Sequence, residues 1–172
     1  MLEQLKNRRA CRAFSSKPVE KEKVDEIIAA GLAAPSGMNG QSSVIIAIED
    51  RETRDALMRC NASFLKGREN MDTFYGAPVV LMVIAKKGNF PYHDGAATIE
   101  NMLVEATNQG LCSCWIHRAE ETIQSEEGRR ILSFTGLNFD EYVGVGNVIV
   151  GYPEGEFKPA EKIIKPGRLF RK

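Results

Sequence analysis

The stretch Ala33-Ala34-Pro35-Ser36-Gly37-Met38-Asn39-Gly40-Gln41 does most to limit what this chain can fold into, because it separates a helical repeat from a β-branched run. Pro35 closes the preceding helix, since the residue before a proline is pushed out of the α region. Gly37 and Gly40 admit positive φ, while Ser36, Asn39 and Gln41 bring short donors and acceptors. A loop of this kind suits a flat polar ring, and a plain turn between two elements accounts for it as well. Arg8, Arg9 and Arg12, just upstream, add a second hint of a ligand. Guanidinium forks match phosphate oxygens, and a solvated basic patch is the other use of such a cluster.

The chain has 172 residues, enough for one domain with a substantial core, and we expect 1–172 to form it. Its 23 lysines and arginines balance 23 aspartates and glutamates, which gives no global attraction to nucleic acid or to an anionic membrane. No apolar run approaches the ~18 residues of a membrane span, and Met1–Lys6 is too polar for a signal core, so a cytoplasmic protein is expected. The 4 cysteines form no Cys-x-x-Cys and are read as reduced thiols.

The elements follow from periodicity. A short amphipathic helix opens the chain. A second runs from Pro18 to Leu32, with Val24, Ile27, Ile28 and Leu32 on one stripe. Ser43–Ile48 reads as a buried strand, Arg51–Cys60 as a helix, and 61–76 as a lid-like segment with scattered aromatics. Ala77–Ala85 is a second strand, its proline at the permitted start. Asp94 fits an N-cap for a helix from Gly95 to about Gln109, followed by a strand at Leu111–Ile116. Strand alternation sends Cys112 and Cys114 to one face and Trp115 and His117 to the other, which argues against a metal site in a chain with 2 histidines. Glu120–Leu132 reads as one or two solvated outer helices and Tyr142–Tyr152 as a fourth strand. The Gly-Val-Gly of that strand is no dinucleotide fingerprint, since no helix opens after it. From Pro153 onward the composition suits an extended tail that is ordered only where it docks, with Leu169 and Phe170 as anchors.

In this order, the motifs resemble the FMN-dependent nitroreductase family: arginines before Ala-Phe, Ala-Pro-Ser-x-x-Asn-x-Gln, Gly-Ala-Pro-Val-Val, a helix bearing Asn-Met, Gly-Leu-x-Ser-Cys-Trp-Ile, and a late Lys/Arg pair. The resemblance covers nearly the whole chain. It implies an α+β fold, a mainly antiparallel sheet surrounded by helices, in an intertwined homodimer with FMN at the interface and the 153–172 tail docked on the partner subunit. It also implies hydride transfer from NAD(P)H through FMN to a nitro compound, quinone or similar small acceptor, by a ping-pong mechanism. A non-catalytic flavin-binding or redox-sensor protein of the same fold is the other function it admits.

Carried over by position, Arg8 and Arg12, with Arg9 beside them, resemble the flavin phosphate and ribityl contacts. Pro35, Ser36, Gly37 and Asn39 resemble the loop that approaches the flavin from the other subunit. Trp115, His117 and Arg118 belong to the segment whose backbone amides face the reactive edge of the ring. Lys165 and Arg168 resemble a closing pair on the phosphate. The chemistry needs no side-chain nucleophile, and His117 is either a proton donor or a polar rim residue. Ala10, Cys112 and Ser42-Ser43 depart from residues common in the family, and Gly167 lengthens the Lys165–Arg168 spacing.

Overall fold

The computed structural model describes residues 1–172. It is built on a four-stranded antiparallel sheet of β1 (Ser43–Ile48), β2 (Val79–Lys86), β3 (Cys112–Ile116) and β4 (Tyr142–Gly151), in the order β1-β2-β4-β3. Around it lie α1 (Glu3–Asn7), α2 (Lys21–Leu32), α3 (Arg51–Ser63), α4 (Pro91–Asn108), α5 (Ala119–Gln124) and α6 (Glu126–Ile131). Strand alternation divides the core. Val79, Leu81 and Val83 join Val148 and Val150 against α2 and α4, and Val80, Met82, Ile84 and Ile149 face Leu57, Ile123 and Phe74 on the other side. Being covered on both faces, β2 reads in sequence as a continuous apolar run; β1, at the sheet edge, is only half-buried rather than the buried strand its composition suggests. No helix is long and apolar enough to cross a membrane.

Other expectations shift for local reasons. Helix α2 starts at Lys21, after Glu20 in extended geometry, and Leu32 is 63% exposed where Gly31 instead packs beneath Met102. Helix α4 begins with Pro91 at its first position, so Asp94 lies inside the first turn instead of capping it. The 120–132 segment breaks into α5 and α6 at Ser125, whose hydroxyl accepts from Gly128 N, and Ala119, Ile123 and Leu132 are core residues. The lid-like reading of 61–76 gives way to packing around Asp72. Its carboxylate accepts from Phe74 N and Gly76 N at 2.8 Å and from the Arg54 guanidinium at 3.0 Å, and the Phe74 ring is fully buried.

Between Val83 and Ile84 the β2–β4 register slips, leaving Val145 as the extra residue between Gly144 and Gly146. The bulge seats Val145 against Gly95 of α4, where an added Cβ would come within 2.5 Å of the valine methyl. Gly146 lies under the Trp115 indole, and Gly144 lies against the backbone of Ala119 and Glu120. The Gly-Val-Gly is therefore a packing device that fixes β3 and α5 against β4.

Candidate functional site

An arm of extended chain covers the free edge of β3. Ala10 bridges Ser113, Cys11 N donates to Ser113 O at 3.0 Å, and Ser15 N donates to Tyr152 O at 2.9 Å. Alternation along this arm buries Cys11 and leaves Arg12 exposed. Arg8 reaches Glu100 of α4 at 3.7 Å. Both Arg12 and Arg8 lie within electrostatic reach of the Cys114 thiol, opposing the burial that pushes its pKa up, so these two guanidiniums share one flank of β3. Arg9 is occupied differently: it donates to the carbonyls of Ala160, Lys6 and Arg8, which makes it a clasp between the arm and the C-terminal segment. Burial, with Cys11 alongside, pushes the Cys112 thiol up to about 12, so it stays protonated at neutral pH and is a poor nucleophile.

The Pro35 loop takes an unexpected backbone path. Gly40 has φ −71, and positive φ falls instead on Met38, Asn39 and Gln41 at 55, 54 and 46. Gly37 packs beneath the Phe90 ring, which a Cβ there would push outward. Asp94 holds the loop: Gly37 N and the Ser42 hydroxyl donate to its carboxylate at 2.8 and 2.7 Å. The Ser36 hydroxyl accepts from Gln41 N at 2.9 Å. A cavity of about 470 Å³ opens beside the loop, lined by Gln41, Lys86, Lys87, Phe90 and Tyr142 among others.

Those two donors hold the Asp94 carboxyl below its ordinary 3.8, the Gly37 amide contributing most. Since the folded value lies below the unfolded one, the stabilisation is complete above the unfolded value and is lost as pH falls through the folded one. Asp94→Ala should cost roughly 1.5–3 kcal/mol in urea denaturation at neutral pH, and the difference from wild type should narrow as acid protonates the Asp94 carboxylate of the folded protein. An unchanged gap in acid would show that the cost comes from lost packing and not from the ionised carboxylate.

At the far end of β3 the chain turns through Trp115, Ile116, His117 and Arg118. Trp115 is 37% exposed, its indole resting on Gly146. The His117 carbonyl accepts from Asn61 Nδ2 at 2.8 Å and from Asn147 Nδ2 at 3.3 Å, both side chains buried. Arg118 has φ 78, unusual for a side-chain-bearing residue, and its side chain pairs with Glu121. The main-chain amides of His117 and Arg118 make no hydrogen bond within the chain. Two adjacent free donors on a clamped, strained turn are what a ligand acceptor edge would need.

The family model described as Nitroreductase family matches residues 5–152. The chain belongs to the nitroreductase family. A nitroreductase with bound FMN from Bacteroides fragilis superposes with a TM-score of 0.88 at 26% identity, covering 99% of this chain and 97% of that one. An FMN-dependent nitroreductase from Clostridium difficile gives a TM-score of 0.74 at 25% identity, covering 94% and 92%. A relative from Archaeoglobus fulgidus, whose name is NADH dehydrogenase/NAD(P)H nitroreductase, is 28% identical over 99% of this chain and 96% of its own length. The chain has the α+β fold, with its antiparallel sheet between helices, that the motif order implies.

Not every expected site residue converges within one subunit. Arg8 and Arg12 share a flank, and Trp115, His117 and Arg118 share the strand end. Pro35, Ser36, Gly37 and Asn39 form a separate loop, and Lys165 and Arg168 are exposed and make no ion pair. Asn61, Asn147 and Asp94 were missed as positioning residues. The legible signal was Asn147, a polar residue inside an otherwise apolar strand; Asn61 carried none.

Proposed function

We propose that this chain is an FMN-dependent oxidoreductase that passes hydride from NAD(P)H to a nitro compound, quinone or similar small organic acceptor, and that it works as an intertwined homodimer with the flavin at the interface. The observation that carries this reading is the pair of free amides at His117 and Arg118, clamped by Asn61 and Asn147. The donor set fits FMN. Arg12 is exposed without an acidic partner and Arg8 has a single distant one, which suits a terminal phosphate, while no glycine fingerprint for a pyrophosphate is present.

When bound, FMN supplies the two-electron chemistry between nicotinamide and acceptor. In this reading Arg8 and Arg12 hold the phosphate, and Arg9 fixes the arm that presents them. Trp115 flanks the ring, and the amides of His117 and Arg118 donate to its polar edge, where fixed dipoles need no reorganisation. Pro35, Ser36, Gly37 and Asn39 come from the second copy, and Lys165 and Arg168 approach the phosphate from the tail. The His117 side chain stands exposed at the rim. Residues 1–172 act as one domain.

Purified protein incubated with FMN should turn yellow, and NADH or NADPH should bleach it. A yellow protein that neither nicotinamide bleaches is a flavin binder and not an enzyme, and a protein that stays colourless refutes the proposal. Because both substrates take turns in one open site, double-reciprocal plots should be parallel, and intersecting lines would count against that sequence.

A further inference from the structure

We propose that the basic turn after α3 forms, together with Arg118, a phosphate subsite for the nicotinamide cosubstrate, an inference that rests on the oxidoreductase reading. Phe64, Leu65, Lys66, Arg68 and Arg118 line one open cavity of about 490 Å³. Its wall is a closed turn: Leu65 N donates to Ala62 O at 2.8 Å, Arg68 N to Leu65 O at 2.9 Å, and Gly67, at φ 76, donates to Glu69 Oε1 at 2.8 Å. Asn61 ties the helix end preceding this turn to the His117 carbonyl at 2.8 Å. The cavity therefore borders the strand end that bears the free amides, and Arg118 belongs to both.

The charges around it favour an anion. Lys66 and Arg68 are exposed and form no ion pair, whereas Arg118 pairs with Glu121. Glu69 is the other nearby acid; backbone amides keep its carboxyl ionised, and its charge is directed into the Gly67 N–H. Three cations against two committed acids leave net positive charge at the cavity mouth.

The flavin phosphate is not the group it serves, because that phosphate is assigned to Arg8 and Arg12 beside Ser113. At ~3.3 Å per residue, Arg118 is roughly 15 Å further along the strand. The acceptors are flat and need no cations, but a nicotinamide dinucleotide always brings phosphates. Its hydride-bearing ring must reach the amide edge while its phosphates lie outside, which is where Lys66 and Arg68 stand. Phe64 and Leu65 supply an apolar side to the same cavity. Phosphate could come from the pyrophosphate shared by NADH and NADPH or from the 2′-phosphate of NADPH.

The test compares full-length, FMN-loaded wild type with the double variant Lys66→Gln, Arg68→Gln. Its KM for the nucleotide should rise about tenfold or more, equivalent to ~1.4 kcal/mol or more, with kcat at saturation retained. Turnover of the uncharged donor 1-benzyl-1,4-dihydronicotinamide should hold. A rise shared by NADH and NADPH assigns the pyrophosphate, and a rise confined to NADPH assigns the 2′-phosphate. In wild type, added salt should raise the nucleotide KM and leave the uncharged donor alone. Calorimetric titration with ADP and with adenosine 2′,5′-bisphosphate gives a readout independent of turnover, and the variant should bind the relevant fragment about tenfold more weakly. Unchanged nucleotide KM, equal loss with the uncharged donor, or equal fragment binding by both proteins would overturn the subsite. If no donor bleaches the flavin but the fragments still discriminate wild type from variant, the oxidoreductase reading falls and the phosphate site stands.

Discussion

Gly144→Ala is expected to remove about 3 kcal/mol or more of folding stability. Its Cβ would stand 2.2 Å from Glu120 N and 2.3 Å from Ala119 C, both backbone atoms that cannot rotate away. The amide of Gly144 also donates to the Glu120 carboxylate, so β4 and α5 would have to separate at a point where they are bonded. A glycine crowded only by a movable side chain should be more forgiving. At Gly37 the obstacle is Phe90, a ring 44% exposed that can swing aside. Gly110 has open space around it, and an alanine there meets only the cost of φ 71, roughly 1–2 kcal/mol. Denaturant midpoints for Gly144→Ala and Gly110→Ala decide the matter: a Gly144 variant no less stable than the Gly110 variant would mean that α5 yields easily. Because α5 begins one residue after Arg118, the Gly144 variant should also lose flavin retention.

That glycine pair shows where sequence reasoning stops. The apolar run of β2 announced a strand, because burial on both faces leaves it no outward polar position to mislead. Motif order then gave the family. What periodicity could not supply was the purpose of residues whose partners lie far along the chain. Asp94 reads as a helix cap by local rules, yet its carboxylate is spent on Gly37 and Ser42, 57 and 52 positions earlier in the chain. Asn61 reads as the start of an irregular segment, and its function is set by a carbonyl 56 positions later. Local rules also placed positive φ on Gly37 and Gly40, whereas the loop places it on Met38, Asn39 and Gln41. Such strain in residues with side chains persists only where the surroundings enforce it, and here Asp94 does so.

Deleting residues 161–172 should lower dimer stability and flavin retention together while leaving each subunit folded. The C-terminal segment divides at Ala160. Up to that point it belongs to its own subunit: Pro153 bridges Phe14, Glu154 N donates to Ala13 O at 3.0 Å, Phe157 packs on the core, and Arg9 clasps Ala160 O at 2.7 Å. Beyond it Ile163, Ile164, Leu169 and Phe170 are 89%, 68%, 69% and 88% exposed. Burial of each against a second copy would contribute about 1.5–3 kcal/mol, and no surface of the same subunit receives them. These four anchors make the tail more apolar than Leu169 and Phe170 alone suggest, and they flank Lys165 and Arg168, which docking would carry toward the phosphate. Arg12→Ala supplies the contrast. It should weaken FMN by roughly 1.5–3 kcal/mol, one to two decades in Kd, without altering assembly, because Arg12 touches no proposed dimer anchor. Size-exclusion chromatography with flavin absorbance reads both quantities at once. A truncated protein that elutes as a dimer, keeps its flavin at micromolar concentration and melts with the full-length chain would leave the tail without a part in either.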